Sequence, residues 1–388
     1  MSIEVAELEQ AVDHLPDNWA SRRLLDICRP RQWPTISREQ FTENGYPVYG
    51  ANGQIGFYSQ FTHDSETIAI TCRGATCGTI NLVPAKSYIT GNAMALDDLD
   101  DSLVAQSYLY QALQHWGVAN SISGSAQPQI TRQSLNHVAF PFPPLDEQRR
   151  VAEVLRSVDE AIAAAVAAAD LAENLLVRVR DEVISQPIWG MTTLSDATSA
   201  GLFTDGDWVE SKDQDPNGDV RLIQLADIGD GCFVGKSRRY LTLEKAHQLR
   251  CTFLEEGDLL IARMPDPLGR CCLFPAINQP SVTVVDVCVV RASQITSNRY
   301  LNHAIATSEF RSQVLACASG TTRTRVSRGN LGQLELAMPP LAEQEAIADE
   351  LDQISVVAGE QQQAAERLKD LKHGLMSDLF SGRVRVPA

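Results

Sequence analysis

The chain is short of basic residues. It has 33 lysines and arginines against 49 aspartates and glutamates, which gives a formal net charge of −16 over 388 residues. Because lysine and arginine contacts to phosphate drive most nucleic-acid binding, this balance argues against a strongly cationic surface. Basic residues with few acids among them do cluster at 22–38 and at 236–250. Local basic stripes are therefore compatible with a nucleic-acid partner despite the total charge.

Long apolar segments are missing too. The first residues, MSIEVAELEQAVDHL, carry early acids and lack a basic segment followed by an apolar run, so they do not read as a secretory signal. We therefore expect a cytoplasmic protein with no membrane partner. The nine cysteines include no Cys-x-x-Cys pair, which is a common spacing in metal sites. We expect reduced core thiols, no metal and no cofactor.

Catalytic motifs are also absent. An amino-methyltransferase needs an Asn-Pro-Pro-aromatic strand and a glycine-rich cofactor loop, and neither string occurs. DGCFVGKS at 230–237 approaches a phosphate-binding loop, but Asp230 stands where the first glycine is required. PDPLGRCC begins with Pro-Asp but lacks the acid-x-Lys that a metal-dependent nuclease needs. We expect no catalytic residues and a non-catalytic protein.

One segment occurs twice. PPLDEQRRVAEVL begins at Pro143 and PPLAEQEAIADEL begins at Pro339, an offset of 196 residues. Upstream, GSAQPQITRQSL from Gly124 aligns with GTTRTRVSRGNL from Gly320 at the same offset. Self-similarity at one fixed offset indicates that an architectural unit has been duplicated.

An apolar heptad follows each double proline. Apolar residues recur at alternating spacings of four and three, which is the pattern of a coiled-coil seam. The seam residues are Val151, Leu155, Val158 and Ile162 in the first run and Ile347, Leu351 and Ile354 in the second. A helix of about 40 residues is about 60 Å long, more than one globular core covers. The two helices are therefore predicted to pair, and to run antiparallel because a whole unit separates them.

The stretches before the two helices read as mixed α/β. β-rich runs such as ETIAITCRG and SVTVVDVCVVRAS alternate with turn-rich loops. Both stretches share one order, namely a β-rich half, a helix, a glycine-led loop, a double proline and a long helix. The sequence predicts an α+β fold, a pseudo-two-fold repeat of two mixed domains joined by two long antiparallel coiled-coil helices. The predicted boundaries are 1–142 and 188–338 for the domains and 143–187 and 339–388 for the helices.

Several strings together resemble a known family. PPLDEQRRVAEVL, PPLAEQEAIADEL, LMSDLFSGRVRV, YPVYGANGQIGFY and ITCRGATCGTINLVP are similar to the specificity subunit of type I restriction-modification systems. The resemblance implies two target recognition domains that each read one half of a bipartite double-stranded DNA target, held apart by the spacer helices. It also implies methyltransferase (modification) subunits, two of them expected, and a motor-nuclease restriction subunit as partners.

Two alternatives stay open at this point. A self-contained restriction-methylation enzyme would be a different class of protein, and the missing motifs and short length count against it. An interaction scaffold that does not bind DNA is the other alternative, and the acidic net charge favours it.

Candidate DNA-binding residues follow from base chemistry, since arginine suits guanine while asparagine and glutamine suit adenine. The candidates in the first domain are Asn52, Gln54, Arg73, Gln127, Gln129 and Arg132. Those in the second are Arg263, Thr322, Arg323, Arg325 and Arg328. Arg263 follows DLLIA much as Arg73 follows TIAITC, so the two are taken as counterparts. Arg132 and Arg328 match between the domains, so we expect them to contact phosphate or support the fold. Asn52 could instead only satisfy its turn.

Overall fold

The computed structural model describes residues 15–124, 127–320 and 324–386. The chain forms two compact units. Unit 1 is Met1–Ala164 together with Ala364–Ala388, and unit 2 is Ala165–Gln363. Within the described residues, no helix has the length and apolar character needed to span a membrane.

Among its described residues, unit 1 contains nine strands, two short or medium helices, the first half of one long helix and the end of a second. Its strands are β1 (Ala20–Arg23), β2 (Arg29–Gln32), β3 (Tyr46–Gly50), β4 (Gly53–Tyr58), β5 (Thr67–Thr71), β6 (Ile80–Val83), β7 (Tyr88–Ile89), β8 (Ala93–Asp97) and β9 (Ala139–Phe142). Its helices are α1 (Leu24–Ile27), α2 (Gln106–Trp116) and the first half of α3 (Leu145–Ile184).

Unit 2 repeats this plan with a few added short helices. Its strands are β10 (Gly190–Thr193), β11 (Leu202–Asp205), β12 (Val220–Ile223), β13 (Tyr240–Leu241), β14 (Leu259–Ala262), β15 (Cys271–Leu273), β16 (Ser281–Thr283), β17 (Val287–Arg291) and β18 (Glu335–Met338). Its helices are α4 (Leu194–Ala197), α5 (Leu243–Gln248), α6 (Asn298–Ile305), α7 (Ser308–Ala316), α8 (Arg328–Gly332) and the first part of α9 (Leu341–Phe380).

The strand pairing is the same in both units. In unit 1 the sheet orders are β1-β9, β2-β8-β5-β6 and β4-β3-β7, and in unit 2 they are β10-β18, β11-β17-β14-β15 and β13-β12-β16. In each unit the three-stranded sheet contains one parallel pair, β3 with β7 and β12 with β16. Each strand of unit 1 thus has a counterpart nine strands later. The predicted α+β fold with a pseudo-two-fold repeat is confirmed.

The central strand of each four-stranded sheet is apolar on both faces. All five residues of β5 and all four of β14 are buried. Ile68 and Ile70 face the core that contains α2, whereas Ala69 faces a smaller cluster on the other side. Burial on both faces explains why TIAIT and LLIA read as continuous apolar runs instead of alternating patterns.

The long helices pair antiparallel. In unit 1 the start of α3 packs against the end of α9, with Val151 and Leu155 in one core cluster with Leu379. In unit 2 the end of α3 packs against the start of α9, with Ile184 beside Ile347 in the core. The predicted seam residues Val151, Leu155, Val158, Ile162, Ile347, Leu351 and Ile354 are all buried or half-buried. The heptad therefore describes the inner faces of the helices.

The end of the chain completes unit 1. The Arg385 guanidinium donates to both carboxylate oxygens of Glu147 at 2.6 and 2.7 Å. It also lies 5.5 Å from the centroid of the Trp19 ring. Residues after α9 thus tie the start of α3 to the segment that precedes β1.

The glutamine of the repeated string, Gln148 in the first copy, links two helices through hydrogen bonds. Gln148 Nε2 donates to the carbonyls of Pro143 (2.9 Å) and Leu103 (3.0 Å), and Gln148 Oε1 accepts from the amide of Ala105 (2.9 Å). Ala105 is the residue that caps α2. The buried amide therefore fixes the start of α3 to the start of α2. We name this arrangement the glutamine clasp.

Unit 2 contains the same clasp. Gln344 Nε2 donates to the carbonyls of Pro339 (2.8 Å) and Ile295 (3.3 Å), and Gln344 Oε1 accepts from the amide of Ser297 (2.9 Å). Ser297 caps α6. The double proline and glutamine occur twice because each domain helix must be fastened to a long helix.

We expect Gln148→Leu to destabilise the protein by about 1–3 kcal/mol, because it removes a buried amide and leaves three backbone groups without its hydrogen bonds. Gln344→Leu should cost a similar amount. Urea unfolding followed by circular dichroism measures both. The exposed Gln363 of α9 provides the matched control, since Gln363→Leu should change the free energy of unfolding by less than about 0.5 kcal/mol. Equal midpoints for Gln148→Leu and Gln363→Leu would contradict the clasp.

Candidate nucleic-acid interface

A short hairpin carries the glycine-led loop of unit 1. Ser123 and Gln129 exchange both backbone hydrogen bonds at 2.9 Å, and Gly124 has a φ of +84° near the turn. The amide of Gly74 donates to the Pro128 carbonyl at 3.2 Å, and Arg73 pairs with Gln129 as a backbone bridge. The hairpin thus places Gln129 beside Arg73. Both side chains are exposed, as is that of Gln127.

A second loop joins this surface through Asn52. Thr76 Oγ1 donates to Asn52 Oδ1 at 3.1 Å and to the Ala51 carbonyl at 2.8 Å. Thr76 lies in the same turn as Arg73, which follows β5. Gln54, on the neighbouring strand β4, is also exposed. The structure therefore brings Asn52 and Arg73 to one turn, with Gln129 on the adjoining hairpin.

Arg132 lies on an exposed segment that borders a separate cleft. The cleft has a volume of about 780 Å³ and is also lined by Arg29, Arg31 and Trp33. The Arg31 guanidinium lies 4.2 Å from the Trp33 ring centroid, a cation–π contact. Trp33 is fixed because its Nε1 donates to Asp97 Oδ2 at 3.0 Å. Five carboxylates also line the cleft, so it is not uniformly cationic.

Arg29, Arg31 and Trp33 were not among the predicted site residues. The signal was present in the string RPRQW, where arginines alternate along β2 and both are exposed. Period-two alternation places them on one face of the strand. The sequence predicts these arginines only as members of the basic cluster at 22–38.

Unit 2 has the equivalent hairpin. Ser319 and Arg325 exchange backbone hydrogen bonds of 2.9 and 2.8 Å, at an offset of 196 from Ser123 and Gln129. Arg325 is exposed, and its Nη2 lies 3.6 Å from Asp286 Oδ1. The predicted residues Thr322 and Arg323 lie outside the described residues.

Arg263 is buried, with only 4% of its surface exposed. The amide of Val326 donates to the Arg263 carbonyl at 3.0 Å, as the amide of Ile130 does to the Cys72 carbonyl at 3.0 Å. Arg263 is therefore the counterpart of Cys72. The predicted equivalence of Arg263 with Arg73 is wrong by one residue. One step along a strand reverses the side-chain direction, so the Arg263 side chain points to the interior whereas that of Arg73 is on the surface.

The Arg263 side chain supports the hairpin from below. Its guanidinium lies 3.2 Å from Asp205 Oδ1 and donates to the carbonyls of Val285 and Val326. In unit 1 the counterpart of Asp205 is Gln32, the last residue of β2. The Gln32 Nε2 contacts Cys72 Sγ at 3.0 Å. Burial raises the pKa of the Cys72 thiol, which keeps it neutral. An ion pair in unit 2 thus replaces an amide–thiol pair in unit 1.

Arg328 also belongs to this support. Its Nε donates to Asp205 Oδ2 at 3.1 Å and its Nη1 donates to the Phe203 carbonyl at 3.2 Å. Arg132, its counterpart in the aligned repeat, lines the cleft of unit 1 instead. Matching residues in the two repeats therefore have different surroundings.

All nine cysteines are free and six of them are buried. Across the described residues, His, Cys, Asp and Glu form no group of three or more that could hold a metal ion.

Two domains of one strand topology, each with an exposed hairpin surface and each fastened to a long helix, define a duplicated protein with paired spacer helices. The chain belongs to the family of the type I restriction modification DNA specificity domain, whose profile matches residues 16–168 and 204–376. The resemblance of the repeated strings to specificity subunits is thereby confirmed.

Several known relatives match nearly the whole length of the chain. The type I restriction enzyme MjaVIII specificity subunit of Methanocaldococcus jannaschii is 17% identical, over 96% of this chain and 94% of the relative. The crystal structure of the S subunit from M. genitalium has a TM-score of 0.61 at 14% identity, covering 95% and 98% of the two chains. A chain from a structure on complex assembly of the type I R-M system has a TM-score of 0.57 at 18% identity, covering 96% and 100%. These likenesses show a common fold.

We expect Arg263→Cys alone to destabilise the protein by about 1–3 kcal/mol, because the carbonyls of Val285 and Val326 lose their donor while Asp205 keeps its pair with Arg328. The double variant Asp205→Gln, Arg263→Cys copies the Gln32–Cys72 pair of unit 1 and should recover most of that loss. Urea unfolding of the wild type, both single variants and the double variant gives the coupling free energy. If the double variant instead loses the sum of the two single-variant free energies, the Gln–Cys pair of unit 1 cannot replace the Asp205–Arg263 pair of unit 2.

Proposed function

We propose that the chain is the DNA-reading specificity subunit of a type I restriction-modification complex and that it reads double-stranded DNA in two separate halves. One observation carries this proposal: the same hairpin occurs in both units but presents Gln129 in one and Arg325 in the other. Glutamine suits adenine and arginine suits guanine. A common backbone with different side chains is what two different half-targets require.

We infer two target recognition domains, 1–142 and 188–338, and two spacer segments, 143–187 and 339–388. The proposed base-reading residues are Asn52, Gln54, Arg73, Gln127, Gln129, Thr322, Arg323 and Arg325. Arg132 is proposed to contact phosphate. We assign Arg263 and Arg328 to bracing the second hairpin, because both are held by Asp205.

The net charge of −16 affects how the subunit binds. Electrostatic repulsion between DNA and an acidic protein weakens their association. A small number of phosphate contacts also releases few counterions from the DNA. We therefore propose that the isolated chain binds DNA weakly and that partner subunits supply basic surface in the complex.

The long helices are proposed to dock two methyltransferase subunits and a restriction subunit, which carry the catalysis. In unit 2, Leu171 of α3 is 71% exposed and Val356 of α9 is 60% exposed, with Leu175 and Val357 also exposed. Exposed apolar side chains that lie together on a surface mark sites of protein contact, and two neighbouring pairs of this kind occur in sequence on the long helices at 171–175 and 356–357. This feature favours a scaffold role beside DNA reading.

Two arginines of unit 1 separate base reading from phosphate contact. Arg73→Ala should relax one position in one half of the methylated target, a loss of discrimination of about 1–3 kcal/mol. Arg132→Ala should weaken methylation evenly across sequences and lower the salt dependence of binding by about one phosphate contact. Methylation of a randomised DNA library by the reconstituted complex measures both.

Lys86→Ala, at an exposed lysine outside the two loops and outside the basic cluster at 22–38, is the control and should leave the target unchanged. An even loss of methylation for Arg73→Ala, with no change in sequence preference, would contradict base reading by Arg73.

The spacer helices are proposed to set the gap between the two halves of the target. Four residues inserted after Ala169 lengthen α3 by about 6 Å and keep the seam near register, since one turn has about 3.6 residues. DNA rises about 3.4 Å per base pair, so the unspecified gap should grow by roughly two base pairs. Both specific halves should stay the same, and sequencing of methylated sites in a host with the variant measures this.

The matched control inserts four residues into the exposed turn at 215–218 of unit 2 and should leave the gap unchanged. An unchanged gap for the helix insertion, together with altered half-site bases, would show that the helices do not set the spacing.

A further inference from the structure

Unit 2 contains a cavity on the flank of its helix pair. The cavity has a volume of about 450 Å³ and lies between α3, α9, α6 and the turn at 230–232. Small residues make much of the space, among them Ala169, Ala306 and Gly359. A volume of this size is typical of small-molecule sites in proteins.

A buried arginine lines this cavity without a charged partner. Arg180 is 8% exposed, and no carboxylate of the described residues lies within 4 Å of its guanidinium. Among the described residues, Arg180 makes one hydrogen bond, a long one from Nη1 to the Ala306 carbonyl at 3.5 Å. Its Nε has no hydrogen-bond partner among those residues. A buried charge is normally paired, because burial removes its hydration.

A second polar group of the lining is also unsatisfied. Asn302 is 7% exposed and its Oδ1 has no hydrogen-bond partner among the described residues. The Oδ1 atom is an acceptor and suits a donor such as the hydroxyl of a protonated phosphate, whereas the Nδ2 of the same amide can donate to an oxyanion beside Arg180. Two nearly buried polar side chains thus face one cavity with unsatisfied hydrogen-bonding atoms.

Unit 1 shows what the chain does when this position is only structural. At an offset of 196, the counterpart of Arg180 is Met376, which is buried in the core with Tyr108 and Phe380. The counterpart of the cavity residue Leu176 is Lys372, whose Nζ is paired with Asp159 at 2.6 Å. The matching seam of unit 1 is therefore apolar at one position and ion-paired at the other. The unpaired arginine is a departure of unit 2 from the common plan.

We propose that this cavity binds a single oxyanion, a carboxylate or a phosphate group, through the guanidinium of Arg180. The planar guanidinium can donate two parallel hydrogen bonds to either group. The ion pair also satisfies the charge that the free chain leaves buried.

The other charges around the cavity limit the ligand to one negative group. Asp230 is paired with Arg311, and Asp352 is paired with Arg299 and with His303. Asp170 and Glu173 are exposed carboxylates of the lining. They repel further negative groups beyond the one that Arg180 holds, which disfavours a polyanion such as the DNA backbone.

The oxyanion has two possible sources, a free small anion or an acidic side chain of the methyltransferase subunit. The first source is independent of the proposed function, and the second rests on it. The test therefore has one arm with the isolated chain and one with the partner.

The first arm compares thermal unfolding of the full-length wild type, Arg180→Met and the control Arg178→Met, an exposed arginine on the same helix. Arg180→Met copies unit 1 and should raise the unfolding temperature by about 2–4 °C, because it removes an unpaired buried charge. Inorganic phosphate or acetate, against sodium chloride at equal ionic strength, should stabilise the wild type and Arg178→Met but not Arg180→Met. That result assigns the site to a free anion.

The second arm measures binding of the methyltransferase subunit. If an acidic side chain fills the cavity, Arg180→Met should weaken this binding at least about tenfold, while Arg178→Met leaves it unchanged. If Arg180→Met does not fold, Arg180→Lys replaces it in the test. This variant keeps the charge but loses the paired donors, so its binding of the methyltransferase subunit should fall between that of the wild type and a full loss. An Arg180 variant that responds to both anions and binds the partner as the wild type does would overturn the proposal. Neither arm uses DNA, so failure here is distinct from failure of target reading.

Discussion

The buried amide at the start of each long helix is the interaction on which the rest of the structure depends. Gln148 and Gln344 are each about 1% exposed, and each bonds two carbonyls and one amide. Because each amide spans the start of a domain helix and the start of a long helix, it fixes the direction in which the long helix leaves its domain. The heptad can then match α3 to α9, since both helices leave their domains in the same defined way. Unsatisfied polar groups of this kind cost more than a hydrogen bond contributes, which makes the arrangement specific.

The two units keep the same clasp and the same strand pairing, while side chains within that frame differ. Beneath the hairpins, Gln32 and Cys72 in one unit correspond to Asp205 and Arg263 in the other. The hairpin hydrogen bonds are nonetheless the same, within 0.1 Å, at Ser123 and at Ser319. The backbone thus tolerates an exchange of polar partners. A fold of this kind can change its surface residues while the strand register stays fixed.

Sequence patterns predicted what is local or repeated, and missed what depends on packing. The heptad from Val151 predicted the seam because helical periodicity is written in successive residues. The same reasoning paired Arg263 with Arg73, because a one-residue step along a strand leaves no mark in the sequence yet moves the side chain to the other face. The role of Gln148 was also hidden, since its partners near Leu103 lie more than 40 residues away. The cavity beside Arg180 arises from three helices and a turn, and no single segment records it.

The pairing of Arg385 with Glu147 gives the polypeptide an order of maturation. Unit 2 is continuous in sequence and has all its residues by Gln363, whereas unit 1 needs residues 364–386 as well as its first half. During synthesis from the amino terminus, the domain that is made first is consequently finished last. Until the final helix emerges, the apolar face of α3 around Leu155 has no partner from α9. The nascent chain therefore exposes the apolar face of half a helix pair while its second domain is already complete.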